Sequence, residues 1–172
     1  MIVLPVRLAE LLDQVDGTRA ATLALDFAEH AVDLESEPLA ERMRAATVEY
    51  VAAARAAIAL GRADDRLVRA HASHAAAARQ TPGHSEITLL HDSAVRLACQ
   101  DMLIEAGAMN RAGRTMLTCR YVARTAQSEV GGRSARRAAA GTDPRKADRA
   151  ARWEEARWQL HHVIATEPNP HD

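Results

Sequence analysis

The sequence predicts an all-α protein, a compact bundle of six or seven mostly antiparallel helices, and three observations predict it. Apolar residues recur every three or four positions almost from end to end, the spacing of a helix face. Ala supplies 38 and Arg 21 of the 172 residues, and both lose little freedom in a helix. The 8 Gly and 6 Pro are too few for a sandwich that turns every ten residues or so. A chain of this length is one domain, here residues 1–172, burying ~68–70% of its unfolded surface.

Each helix has a local justification. The first starts at Pro5, which a first turn tolerates, and turns Leu8, Leu11, Leu12 and Val15 inward. Asp16-Gly17-Thr18 breaks it and caps a second helix to Glu35, with Ala20, Leu23, Phe27, His30 and Leu34 on one stripe. Ser36-Glu37-Pro38 starts a third, whose seam of Leu39, Met43, Ala46, Tyr50, Ala53, Ala57 and Leu60 runs to the stop at Gly61. Asp64-Asp65 caps a fourth to about Arg79, stopped by Thr81-Pro82-Gly83.

A fifth helix begins near Ser85 and carries Ile87, Leu90, Ala94, Leu97 and Met102 to Gly107. A sixth follows after two or three residues as its antiparallel partner, with Met109, Ala112, Met116, Cys119, Val122, Ala126 and Val130 on one face. Gly131 to Thr142, with glycine at both ends and three arginines, reads as a flexible Arg/Gly/Ala-rich loop over 131–142. Asp143-Pro144 restarts helix as N-cap and first residue, and the last helix reaches about Ala165. The tail at 166–172, with two prolines, is expected to fray.

Charge and cysteine content exclude more than they propose. The net charge of −1 gives no global attraction to nucleic acid or to an anionic membrane. No apolar run reaches the length of a membrane span, and Met1-Ile2-Val3-Leu4-Pro5 lacks the features of a signal peptide, so a cytoplasmic location is expected. Cys99 and Cys119 make neither a disulfide framework nor a zinc site and are expected as free thiols. No cofactor fingerprint, nucleophile elbow or phosphate loop occurs, so no catalytic residues are assigned and an enzyme is not favoured.

Two clusters carry candidate chemistry. His71 and His74, at i and i+3, share a helix face, but metal binding needs three or four converging ligands and no Glu-x-x-His motif accompanies them. They also continue the stripe of Leu67 and Ala78, which makes partly buried, hydrogen-bonded imidazoles the simpler reading. Asp26 and His30 at i, i+4, with His84, His91 and Asp92, could contribute from other helices, though nothing requires them to converge.

The second cluster is basic. Residues 1–110 hold 10 arginines against 16 carboxylates, whereas residues 111–157 hold 12 cations against 5. A surface of Arg111, Arg114, Arg120, Arg124, Arg133, Arg136 and Arg137 could neutralise nucleic-acid phosphates. Alternatively, the basic third pairs with the acidic two-thirds inside one fold or across a homodimer.

The last helix has apolar groups on both sides. At 100° per residue, Trp153, Ala156, Val163 and Ile164 fall near Leu160, and Trp158 and His162 fall opposite. It is either central to the bundle or buries one face against a partner, for which an exposed Trp158 would be a suitable anchor.

Several stretches resemble the helical immunity proteins of bacterial polymorphic-toxin systems. They are Leu23-Ala24-Leu25-Asp26-Phe27-Ala28-Glu29-His30, the helix with Val48-Glu49-Tyr50, the Ala-rich His71-Ala72-Ser73-His74-Ala75-Ala76 run, and Glu155-Ala156-Arg157-Trp158-Gln159, similar to that family's closing Glu-x-x-Trp-Gln segment. Together they cover about a third of the chain, and Glu37-Pro38-Leu39 stands where the family has Arg-Pro-Arg. The resemblance implies a small protein that binds and neutralises a partner protein; if that face of the last helix is exposed, the contacts expected are Glu155, Trp158, Gln159 and His162. An Arg-rich nucleic-acid-binding protein and a metal- or small-ligand-binding bundle at His71 and His74 are the alternative readings.

Overall fold

Short polar side chains set the helix starts. The Asp64 carboxylate accepts the Leu67 N–H at 2.9 Å, Thr118 Oγ1 accepts that of Tyr121 at 3.1 Å, and Asp143 accepts that of Arg145 at 2.9 Å. Each satisfies a donor that the first helical turn leaves without a backbone partner. Gly61 and Gly107, at φ of +68° and +71°, end two helices in the left-handed conformation that side chains disfavour.

The computed structural model describes residues 6–15, 17–33, 41–80 and 85–167. Among them the elements are α1 (Val6–Gln14), α2 (Gly17–Asp33), α3 (Glu41–Leu60), α4 (Asp65–Gln80), α5 (Ser85–Glu105), α6 (Cys119–Arg136) and α7 (Pro144–Ala165), with a 3-10 turn at Arg111–Gly113 and no strand. The expected third-helix start at 36–38, Leu34, Leu39, His84 and the tail from residue 168 lie outside the described residues. No described helix is long and apolar enough to cross a membrane.

α2 lies at the centre, packed against α3, α5 and α6, while α6 and α7 run antiparallel along one another and α1 closes their outer side. Leu8, Leu23, Leu25, Phe27, Tyr50, Leu67, Leu90 and Leu103 fill the interior. Between them Ala24, Ala28, Ala53, Ala54, Ala57, Ala94, Ala123 and Ala126 are fully buried. A methyl side chain brings helix axes close, so these seams gain packing density where they lack bulk. Cys99 and Cys119 are buried free thiols, held above the usual thiol range by that burial.

Two expectations about the C-terminal half are corrected. The segment 131–142 is not one flexible loop: α6 continues through Gly131 and Gly132 to Arg136, leaving only 137–143 as connection. The reason is contact. A Cβ on Gly131 would lie 2.6 Å from Asp148 Oδ1 and 2.7 Å from Arg152 Cγ, so glycine is what lets α7 approach α6 there. Met109, Ala112 and Met116 are not on the sixth helix, which begins only at Cys119. Residues 114–118 are held against α5 instead. Gln100 Nε2 donates to the Thr115 carbonyl at 3.0 Å and its Oε1 accepts the Thr115 N–H at 2.8 Å. Met116 is 91% exposed.

Gly131→Ala is therefore expected to lower stability by about 1–3 kcal/mol, as overpacking does. Gly132→Ala, where a Cβ meets nothing nearer than 3.4 Å, is expected to raise it by about 0.5–1 kcal/mol. Urea unfolding of the two variants checks the opposite signs.

Candidate functional site

The 1-turn spacing of residues 155, 158, 159 and 162 places them on the side of α7 that faces α2 and α6. Glu155 has no exposed side-chain surface, yet its carboxylate has two donors: His30 Nδ1 reaches Oε2 at 2.9 Å and Gln159 Nε2 reaches Oε1 at 2.9 Å. Gln159 Nε2 also donates to the Ala123 carbonyl at 3.1 Å, and its Oε1 accepts from Gln127 Nε2 at 2.8 Å. One turn on, His162 Nε2 donates to Asp26 Oδ2 at 2.8 Å. Arg55 of α3 donates to Asp26 Oδ1 at 2.6 Å and pairs with Glu29. A carboxylate accepts only, so the proton lies on Nδ1 of His30 and on Nε2 of His162.

Trp158 sits between those two histidines. The His30 ring is stacked on the indole at a centroid separation of 3.5 Å and 2° between planes, and His162 at 4.9 Å and 10°. Two imidazoles at those separations would overlap on one face, so they take opposite faces and sandwich the indole. Phe27 meets it edge-on at 6.2 Å.

This corrects the expected partner surface. Glu155 and Gln159 are buried, and Trp158 and His162 are half-buried, with the indole faces covered and His162 Nε2 engaged by Asp26. They form an internal polar layer because α2 and α6 both pack on that side of α7. The large apolar residues left half exposed on this helix are Trp153 and Ile164 of the Leu160 side.

What opens to solvent is the cleft beside that layer. It has a volume of about 600 Å³ and runs between the C-terminal half of α6 and the start of α7, with Trp158 and His30 on its floor. Arg133, Arg137, Glu154 and Glu155 supply its charges, and the volume is that of an ordinary ligand pocket. Arg133 belongs to the bundle, not to the surface: it is buried, donates to the Ala31 carbonyl in the last turn of α2, and lies 3.5 Å from Glu129. It satisfies a carbonyl that the helix end leaves without a backbone donor.

The other basic residues are spread, not pooled. Arg120 and Arg136 are sixteen positions apart on α6, about 24 Å along its axis. Arg114 pairs with Asp101 at 2.9 Å, Arg120 with Asp13 at 3.0 Å, and Arg136 lies 3.9 Å from Glu129. Arg111 and Arg124 are exposed. Among the basic residues of the C-terminal half, exposed Arg136 and Arg137 at the end of α6 and Arg145, Lys146 and Arg149 at the start of α7 lie closest together in sequence.

His71 and His74 meet Tyr50. Its hydroxyl, kept protonated by burial, donates to His71 Nδ1 at 2.8 Å, while His74 stacks on its ring at 4.7 Å. His91 lies 6.5 Å from His74, ring centre to ring centre, with Nδ1 on the Ile87 carbonyl at 2.9 Å. No group of three potential metal ligands converges among the described residues. Burial pushes both His74 and His91 down to about 4.

Sequence reasoning names His30, Asp26 and the four α7 residues but not their convergence. It misses Gln127, whose signal is a glutamine beside the Val122–Ala126–Val130 seam. Searches of family models, of curated proteins and of solved structures find no match to this chain.

Two predictions follow from the buried polar groups. Gln159→Ala strands the Gln127 amide and one oxygen of Glu155, and is expected to cost about 2–3 kcal/mol in chemical unfolding. The unfolded chain takes up protons at His74 and His91 near pH 6.5, whereas the folded chain resists until about 4. Stability therefore falls as pH drops through that window and levels off below it. The loss in Tm between pH 7 and pH 4.5 is expected to be smaller in His74→Leu than in the wild type.

Proposed function

We propose that this chain is a non-enzymatic protein-binding module that neutralises a partner protein, in the manner its resemblance to immunity proteins implies. The observation that carries the reading is the α6–α7 end, where a preformed cleft of about 600 Å³ has Arg137 on its wall and is built from the same ends of α6 and α7 that carry exposed Arg136, Arg145, Lys146 and Arg149. Asp143 there is an N-cap and Asp148 is paired with Arg152, so cations outnumber carboxylates at this end even with Glu154 on the cleft wall. A surface of that kind selects an acidic partner and speeds its approach, while the cleft receives a side chain and fixes orientation. In the polar layer beneath, both oxygens of Glu155 and the Gln159 amide already have partners, so docking there does not strand that buried carboxylate.

The same cations favour nucleic acid as a second reading, and one experiment separates the two. Co-production with the proteins encoded beside it, followed by size-exclusion chromatography and calorimetry, is expected to give a one-to-one complex. Its Kd should rise roughly tenfold or more in Arg137→Glu/Arg149→Glu and stay unchanged in Arg79→Glu on α4. No complex, or a complex indifferent to the double reversal, overturns the reading. A gel shift with duplex DNA or RNA that weakens steeply with salt replaces it with the second.

A further inference from the structure

The side of α7 that carries Leu160 holds a stripe that the bundle leaves half open. At 100° per residue, Arg149, Trp153, Leu160 and Ile164 fall within about 60° of one another. Glu167, just past the helix end, is held there by its N–H on the Ile164 carbonyl at 3.2 Å. It comes in the same phase as Arg149, about five turns away. Trp153 is 47% and Ile164 52% exposed, Leu160 is half-buried, and Arg149 and Glu167 are exposed. Among the described residues, neither of those two charges has an ion-pair partner.

Two features of the stripe say what covers it. An indole is a preferred anchor of protein contacts, and here it stands in a row with two aliphatic side chains. The row is also self-complementary. The midpoint of Trp153 and Ile164 falls between residues 158 and 159, and that of Arg149 and Glu167 falls at residue 158. A single two-fold axis at that height therefore lays Trp153 on Ile164 and Arg149 beside Glu167 of an antiparallel copy, with each contact made twice. A different protein would need the order acid, apolar row, base at the same spacing, whereas a second copy of this chain carries it already. Arg157, the cation nearest the middle, is neutralised by Glu154 at 2.6 Å.

We propose that two copies of this chain associate through α7, antiparallel about a two-fold axis at the height of Trp158. The α6–α7 cleft opens on the Trp158 side of the helix, opposite the stripe, so both clefts of the dimer stay accessible and the two contacts fail independently. One helix from each copy makes an interface at the low end of specific sizes, which sets the dissociation constant in the micromolar range.

Sedimentation equilibrium of the full chain, from low micromolar to near-millimolar concentration, tests this and is expected to show a monomer–dimer equilibrium. Trp153→Ala is expected to weaken it at least tenfold, since each dimer loses the side chain twice, while helicity and Tm stay close to the wild type. Arg149→Glu and Glu167→Arg are each expected to weaken it about five- to tenfold. The double variant Arg149→Glu/Glu167→Arg restores both pairs and is expected to return to within about twofold of the wild type. A chain that stays monomeric at near-millimolar concentration overturns the proposal and leaves the stripe to another protein. Dimerisation that Trp153→Ala does not weaken overturns it as well, and so does a double reversal that brings no rescue.

Discussion

A carboxylate sealed from water is the constraint around which the C-terminal half is arranged. Taking an ion such as the Glu155 side chain out of solvent costs several kcal/mol unless other groups replace its hydration. Its two donors come from different directions, His30 on α2 and Gln159 on α7 itself, and Gln159 passes the connection to Gln127 and the Ala123 carbonyl on α6. Sliding any one of the three helices by a turn breaks at least one of those bonds and leaves a buried polar group without a partner. Apolar alanine seams specify register weakly, because one methyl group replaces another at little cost. The polar layer specifies it strongly, as a small number of directional bonds in a low-dielectric interior does.

The same layer explains why Trp158 is no ordinary surface anchor. An indole on the α2-facing side of α7 would present its face to the cleft if its neighbours were aliphatic. Here His30 and His162 are drawn to Glu155 and Asp26 by hydrogen bonds, and in reaching those carboxylates they lie flat against both faces of the ring. The cleft therefore receives an aromatic edge and a charged rim, a combination suited to polar and charged side chains more than to a greasy one.

How much of this was legible in the residues divides along physical lines. Helix identity was readable because period and capping are local: Asp64 and Asp143 accept from N–H groups two or three positions away, and Pro144 opens α7 where no backbone donor is needed. The start of α6 was not. Met109, Ala112 and Met116 keep helical spacing, but Gln100 on another helix offers their segment an extended alternative. Gly131 misled for the same reason. Glycine, arginine and alanine in sequence resemble a linker, and only the presence of Asp148 and Arg152 across the interface shows that glycine is needed to let a helix come close. Of the site, the individual residues were readable and their meeting was not, since His30 and Glu155 are 125 positions apart.

The cleft between α6 and α7 and a smaller cavity between α2, α3 and α5 differ in a way that decides what each can take. Beside the α6–α7 cleft, the carboxylate of Glu155 has His30 and Gln159, Gln159 has Gln127, and Arg133 has the Ala31 carbonyl. Their hydrogen bonds are made before anything arrives, so a visitor gains from the rim alone. That suits a broad contact with another macromolecule, where many modest interactions at the edge accumulate. Between α2, α3 and α5, Thr47 Oγ1 is sealed from solvent without a hydrogen-bond partner, His91 Nδ1 is taken by the Ile87 carbonyl, and Glu29 on the same wall is bonded to Arg55. The α6–α7 cleft is thus the space whose floor is held by directional bonds between three helices, so its shape is set before any partner arrives.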